Sequence, residues 1–355
     1  MQTIFSDNRL KDTSSGTKSK PDISVVIPAY NEEENIPELY KELLSSLDTL
    51  GETWEIIFVD DGSSGKTWNI IQSLYGTDKR VKGIQFSRNF GHQYALFAGL
   101  LAASGDAVVS MDADLQHPPS VIPDLVREWK KGYKIVNTIR NDLESLSGFK
   151  KVTSNLYYRI FSFITGVKIR PGMADFRLLD RKVVESILQF GEEGLFLRGI
   201  VQWIGFPTTS IPFKCRERYK GTPKYNFKKM MKFGIEGVTS FSIIPLRIGI
   251  VIGILTSLFS FYLIIDSLYA YYNGITVPGW TTTTILISLM FGILFILLGL
   301  IGEYIGKILV QVRARPRFIV SNYIGEDERM KGLANHKSDE DEWIMSKAGR
   351  ERDAS

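Results

Sequence analysis

Short apolar runs alternate with helix-period segments through the first 140 residues. "ISVVIP" (23–28), "WEIIFVD" (54–60), "VKGIQFS" (81–87), "DAVVSMD" (106–112) and "YKIVNT" (133–138) predict strands, and segments 34–49, 66–75, 92–103 and 120–131 predict helices between them. That alternation predicts an α/β domain with a mostly parallel, Rossmann-like sheet covered by helices. Ligands of such sheets bind at the carboxyl ends of the strands. Polar clusters stand at four of those ends: "AYNEEE", "DDGSSG", "RNFGH" and "DADLQH". Each alone is an ordinary turn or cap composition, but four at one sheet edge favour a site for a polar ligand.

The pattern changes after about residue 235. Residues 248–265 ("IGIVIGILTSLFSFYLII") and 281–302 ("TTTTILISLMFGILFILLGLIG") carry no charge, which predicts two membrane spans. A core helix of a soluble domain rarely keeps so long an uncharged run, because one face meets water. The intervening loop 273–280 is also uncharged, whereas Arg247 precedes the first span and Lys307, Arg313, Arg315 and Arg317 follow or end the second. By the positive-inside rule both termini are expected in the cytoplasm of an integral plasma-membrane protein. Upstream, "FKKMMKFGIEGVTSFSIIP" (227–245) has apolar residues at helical spacing opposite lysines, an amphipathic helix for the membrane surface.

Composition adds limits rather than detail. The chain has 355 residues, a formal net charge of +4 and one cysteine, Cys215, so no intrachain disulfide and no cysteine metal cluster can form. No secretory signal is visible in the polar first twenty residues, and the charge-rich segment from about 325 lacks apolar periodicity, so both ends are expected to be unstructured. The expected organisation is a leader over 1–21, the α/β domain over 22–225, an interface region over 226–245, spans over 246–272 and 281–310 around a loop over 273–280, and a tail over 311–355.

The fourth polar cluster carries the most specific chemistry. In an extended segment residues i and i+2 share a side, so Asp112 and Asp114 face one cavity and repel unless a cation joins them. With Gln116 they form part of an oxygen shell for Mg2+ or Mn2+, to be completed by a diphosphate. His117, followed by Pro118, is expected to shape the turn. Neither G-x-G-x-x-G nor a P-loop is present, so nucleotide recognition falls to groups such as Tyr30, able to stack on a base, and Glu32, Asp60 and Asp61, able to accept hydrogen bonds. The segment 214–232 holds eight basic residues against one acid, Glu217; Arg218, Lys220 and Lys224 around Gly221 and Pro223 suit a lipid phosphate.

Taken in order, "SVVIPAYNEEENIPEL", "VDDGSSG", "SRNFGHQYALFAGL", "MDADLQHPP", "GMADFRLLDR", "RYKGTPKYNFKKM" and "LIGEYIGKILVQVRARPRFIV" resemble the family 2 glycosyltransferases of GT-A fold, in particular the bacterial polyprenyl-phosphate glycosyltransferases. Dolichol-phosphate mannose synthase looks like a more distant relative. The resemblance implies that Pro28, Tyr30, Glu32, Asp61 and Asn89 hold the nucleoside and that Asp112, Asp114 and Gln116 form the metal and diphosphate site. It places Asp175 beside the acceptor, as the family's candidate base, with Arg140, Arg218 and Lys224 near phosphates. A processive polymerase is disfavoured, since "VQWIGF" (201–206) stands where those enzymes carry Q-x-x-R-W, and only two spans are present.

The expected activity is inverting transfer of one sugar, glucose from UDP-glucose, to undecaprenyl phosphate. Other donors (UDP-N-acetylglucosamine, a UDP-aminoarabinose derivative, GDP-mannose) stay open, as do a non-catalytic nucleotide-binding membrane protein and a lipid transporter. Expected partners are the nucleotide sugar, the polyprenyl phosphate and membrane lipids, with no nucleic acid. A homo-oligomer is expected too, because Gly249 and Gly253 have the spacing of a close helix contact.

Overall fold

The computed structural model describes residues 20–141, 172–191, 196–216, 244–273, 279–313, 315–328 and 330–334. The chain divides into two compact units, one holding the sheet and running to Tyr225 and again from Pro316, the other holding two long helices within Asn226–Arg315.

The sheet unit contains strands β1 (Ile23–Ala29), β2 (Trp54–Asp60), β3 (Val81–Phe86), β4 (Ala107–Ser110), β5 (Ile135–Arg140), β6 (Met173–Asp180), β7 (Thr208–Phe213) and β8 (Val320–Ile324), in the order β7-β5-β6-β4-β1-β2-β3-β8. Pairs β1–β2, β1–β4, β2–β3 and β5–β7 are parallel. β6 runs against both β4 and β5, and β8 against β3. β1 and β2 are buried at every position, which explains their unbroken apolar runs: helices cover both faces.

Helices α1 (Ile36–Leu47), α2 (Thr67–Thr77), α3 (His92–Ala102) and α4 (Ile122–Lys130) fall in the segments whose periodicity predicts them. α1 buries Ile36, Leu39, Leu43 and Leu47, one stripe at three- and four-residue spacing. α3 is apolar on nearly all sides and sits so close to the sheet that a Cβ on Gly99 would lie 2.1 Å from Val26 Cγ1. Its first residue is thereby held at the carboxyl edge of β1 and β2. Further on come α5 (Arg181–Leu188), capped by the Asp180 carboxylate accepting from Lys182 N, and α6 (Leu197–Trp203).

Three strands depart from the sequence expectation. "MADFRLLD" is an antiparallel strand beyond the five that the periodicity predicts; β7 and β8 extend the sheet at its two edges. Met330 is 1% exposed, so order continues beyond 325, against the expectation of an unstructured tail.

In the second unit, α7 (Ile244–Tyr272) and α8 (Trp280–Arg313) are long and apolar enough to cross a membrane. They touch where a Cβ on Gly249 would lie 3.0 Å from Leu297 Cδ2, whereas a Cβ on Gly253 would meet open space. Gly249 therefore serves a contact inside the chain, which removes it as an argument for an oligomer. The amphipathic helix expected at 227–245 lies outside the described residues, apart from the start of α7.

Candidate active site

The carboxyl ends of β1 to β5 and the amino end of β6 meet at one sheet edge. β4 ends at Ser110, but the alternation it begins carries on: Met111, Ala113, Leu115 and His117 are buried while Asp112, Asp114 and Gln116 are partly exposed. Period two thus brings the three predicted ligands to one side of the segment. Leu115 adopts φ +62°, an uncommon backbone state for a branched residue, and Gln116 N donates to Asp114 Oδ1 at 3.2 Å. His117, 1% exposed and stacked on Phe176, accepts from Asp112 N through Nδ1 at 3.0 Å. Burial holds its pKa below the usual imidazole value. It shapes this turn, as the sequence suggests.

The fit of a divalent ion rests on the donors. Asp112 Oδ1 is a buried oxygen that accepts no hydrogen bond. Among the described residues no group of three His, Cys, Asp or Glu side chains is arranged to hold a metal ion by itself. Two carboxylates and an amide with one oxygen unclaimed suit a hard cation whose remaining ligands come from a diphosphate, and do not suit a closed structural site.

Register sets the second half of the site. Ser110 pairs with Arg177, and Asp175, two residues earlier on β6, lies where β4 ends; Ser110 Oγ donates to Asp175 O at 2.6 Å. The Asp175 side chain is 9% exposed and ion-paired twice. Arg177 Nη2 reaches Oδ1 at 2.7 Å, and Arg198 clamps both oxygens, Nε to Oδ1 at 2.8 Å and Nη2 to Oδ2 at 2.8 Å. Burial would raise this carboxyl's pKa, but the two guanidinium groups outweigh it and hold the group far below the ordinary carboxylate range. A carboxylate so held is a poor proton acceptor at neutral pH.

His92, the first residue of α3, stands between the halves: Nε2 is 3.5 Å from Asp112 Oδ1 and 3.9 Å from Asp175 Oδ2. Neither His92 nor Arg198 is singled out by motif spacing. His92 lay in the third polar cluster and could have been found as the first side chain of the helix that follows it; Arg198 carries no sequence signal.

The predicted nucleoside residues separate into two groups. Tyr30 (38% exposed), Glu32 and Asn89 lie on loops at this edge, with Pro28 buried beneath in β1. Asp60 and Asp61 are different: at 0% and 3% exposure both are turned inward. Asp60 accepts from Ser63 N at 3.0 Å and Gln85 Nε2 at 3.1 Å; Asp61 accepts from Phe90 N at 2.8 Å and Gly91 N at 3.0 Å. Burial raises the Asp61 pKa, opposed by those two N–H groups. Both carboxylates tie together the loops that form this edge. A Cβ on Gly62 (φ +69°) would lie 2.3 Å from the Arg88 carbonyl carbon, so the loops after β2 and β3 interlock.

Arg140 closes the edge at the end of β5, its N–H bonded to Gly172 O at 3.1 Å and its charge felt at His117. Arg218, Lys220 and Lys224 lie outside the described residues. The approach to them is described: Arg216 N donates to Gln116 O at 3.2 Å, and Arg216 pairs with Glu42.

The model of Glycosyl transferase family 2 matches residues 24–188. The uncharacterized glycosyltransferase YkcC of Bacillus subtilis (strain 168) is 40% identical over 316 residues, covering 89% of this chain and 98% of that one. The bactoprenol glucosyl transferase of Shigella phage SfV is 39% identical over 304 residues, covering 84% and 98%. The prophage bactoprenol glucosyl transferase homolog of Escherichia coli (strain K12) is 37% identical over 302 residues, again covering 84% and 98%.

Proposed function

Because the chain belongs to glycosyl transferase family 2, we propose that it transfers one glucose from UDP-glucose to undecaprenyl phosphate at a membrane surface. The observation that carries this is a single sheet edge at which Asp112, Asp114 and Gln116 meet the Asp175–Arg177–Arg198 cluster, an anion-binding half beside a cation-binding half. The choice of glucose and a polyprenyl acceptor draws support from relatives named bactoprenol glucosyl transferases, aligned over 84% of this chain.

In this reading Tyr30 stacks on the uracil, and Glu32 and Asn89 accept and donate hydrogen bonds around the nucleoside. Asp112, Asp114 and Gln116 would hold Mg2+ or Mn2+, which when bound supplies charge compensation for the departing nucleoside diphosphate. Arg198 and Arg140 present positive charge to the acceptor phosphate, with Arg218, Lys220 and Lys224 assigned to the same task. A phosphate oxygen bonds to the anomeric carbon as the bond from that carbon to the diphosphate oxygen breaks, inverting the configuration. The second pKa of a phosphate monoester is about 6, so the acceptor arrives largely deprotonated and needs no strong base. Asp175 then acts by fixing the plane and direction of Arg198.

Topology is proposed as a hairpin of α7 and α8 with the sheet and both termini on the cytoplasmic face. Charge asymmetry supports it: Arg247 in the first turn of α7, Lys307 and Arg313 in α8, and Arg315 and Arg317 after it. Strand pairing supports it independently. β3 precedes the two helices and β8 follows them, yet they share one sheet. In this reading the chain between them crosses the bilayer an even number of times.

The test is transfer of label from UDP-glucose into an organic-extractable product that depends on added undecaprenyl phosphate. UDP-N-acetylglucosamine and GDP-mannose run in parallel identify the sugar.

A further inference from the structure

The strand that follows α8 does more than lengthen the sheet. Asn322 on β8 donates from Nδ2 to Gln85 Oε1 at 2.6 Å, and Gln85 donates from Nε2 to Asp60 Oδ2 at 3.1 Å. An amide has one acceptor end and one donor end, so fixing the first on Asn322 aims the second at Asp60. The other Asp60 oxygen accepts from Ser63 N at 3.0 Å; Ser63 Oγ accepts from Asn31 N at 2.9 Å; and Asn31 Oδ1 accepts from Ser64 N at 3.0 Å. Asn31 is held at φ +54°, between Tyr30 and Glu32. A second route runs beside the first. Phe318 stacks on Phe86 with centroids 4.9 Å apart, Phe86 meets Phe90 edge-on at 5.6 Å, and Ser87 N donates to Ile319 O at 3.0 Å. That route ends at Asp61, through Phe90 N and Gly91 N.

We propose that Asn322 and Gln85 are positioning residues for the nucleotide donor: the strand after the second long helix holds the loop of Tyr30, Asn31 and Glu32 in its binding shape, through Asp60. This rests on the nucleotide-sugar reading of the same edge. The competing role for β8 is to cover the edge of β3 against strand pairing, which would require its backbone bonds but not the side-chain relay. The two roles differ in what they do to the donor. Without the Asn322 N–H, Gln85 loses its aim and the buried Asp60 carboxylate loses a donor, so the loop relaxes. A strand that merely seals an edge would lose stability and leave donor affinity untouched.

The experiment uses the full chain in detergent with undecaprenyl phosphate, comparing Asn322→Ala, Gln85→Ala, the double variant and Ser321→Ala, a control on the same strand. Thermal unfolding confirms folding, and Asn322→Ser replaces Asn322→Ala if the latter fails to fold. The expected result is a rise in KM for UDP-glucose of about fivefold in each single variant, the value of one hydrogen bond. The double variant should show no more than the larger single effect, because the bonds lie in series. Ser321→Ala, kcat and the KM for lipid should not change. Unchanged donor KM in folded Asn322 variants, additive effects, or equal rises in both KM values would overturn the relay. UDP binding is measured on the same variants by calorimetry, so a chain that binds UDP but makes no lipid product still tests the relay through its Kd. Absence of UDP binding by the unaltered chain would instead remove the donor reading and the relay with it.

Discussion

Arg198 grips Asp175 through two parallel bonds, Nε to Oδ1 and Nη2 to Oδ2, each 2.8 Å long. The bidentate pair, with Arg177 as a third member, makes Asp175 a fixed anchor, and in the proposed reaction its partner Arg198 serves the acceptor phosphate. Asp175→Asn should lower kcat on the order of 100-fold by misplacing Arg198. It should also destabilise the fold by about 3–5 kcal/mol, because two guanidinium groups lose their counter-charge in a buried site. Turnover and thermal unfolding of the same preparation check both.

The pH dependence separates an anchor from a base. The folded pKa of Asp175 is depressed. Its stabilising contribution is therefore complete above the unfolded carboxyl value of about 3.9 and is lost as pH falls from there toward the folded value. Between about pH 5 and 9 Asp175 should not titrate, and the pH–rate profile of Asp175→Asn should run parallel to that of the unaltered chain. Loss of an acid limb in the variant would restore Asp175 as a base.

Asp114→Asn tests the cation-binding half. Turnover should fall by on the order of 100-fold or more, with folding retained, since Asp114 is partly exposed. Chelation of the unaltered chain should abolish turnover, and added Mg2+ or Mn2+ should restore it.

His92 spans the gap between the two halves, 3.5 Å from Asp112 and 3.9 Å from Asp175. His92→Ala should lower kcat by about tenfold with little change in UDP affinity, as expected for lost alignment between donor and acceptor. His92→Gln, which keeps a hydrogen-bonding end, should recover part of that loss. Equal loss in both variants would argue that the imidazole ring itself is required.

Gly62 locks the loops after β2 and β3. Gly62→Ala should cost about 2–4 kcal/mol, combining a left-handed backbone state with a Cβ that meets the Arg88 backbone. Thermal unfolding measures the stability, and the UDP-glucose KM should rise with it.

Legibility in the sequence followed how local the governing interactions are. β1, β2 and β3 and helices α1 to α4 declared themselves because each buries an apolar pattern against its immediate neighbours in the chain. The period-two placement of Asp112, Asp114 and Gln116 was equally local. β6 was hidden because "MADFRLLD" carries Asp175, Arg177 and Asp180 in a buried strand, where charges are tolerated only through partners on other elements. One of those partners, Arg198, has no spacing rule tying it to Asp175. β8 was hidden because its partner β3 lies more than two hundred residues away, across both long helices. The loop-holding contacts of Asp60 and Asp61 were hidden for the same reason, since Gln85, Phe90 and Gly91 lie on another strand and its loop.

The most direct test of the central claim is the product itself. The full chain, incubated with Mg2+ or Mn2+, labelled UDP-glucose and undecaprenyl phosphate, should yield UDP and a lipid-linked glucose whose anomeric configuration is inverted relative to the donor. Lipid-linked product of retained configuration would contradict the single-displacement mechanism. Absence of lipid-linked sugar from UDP-glucose and from every alternative donor would contradict the enzyme reading altogether.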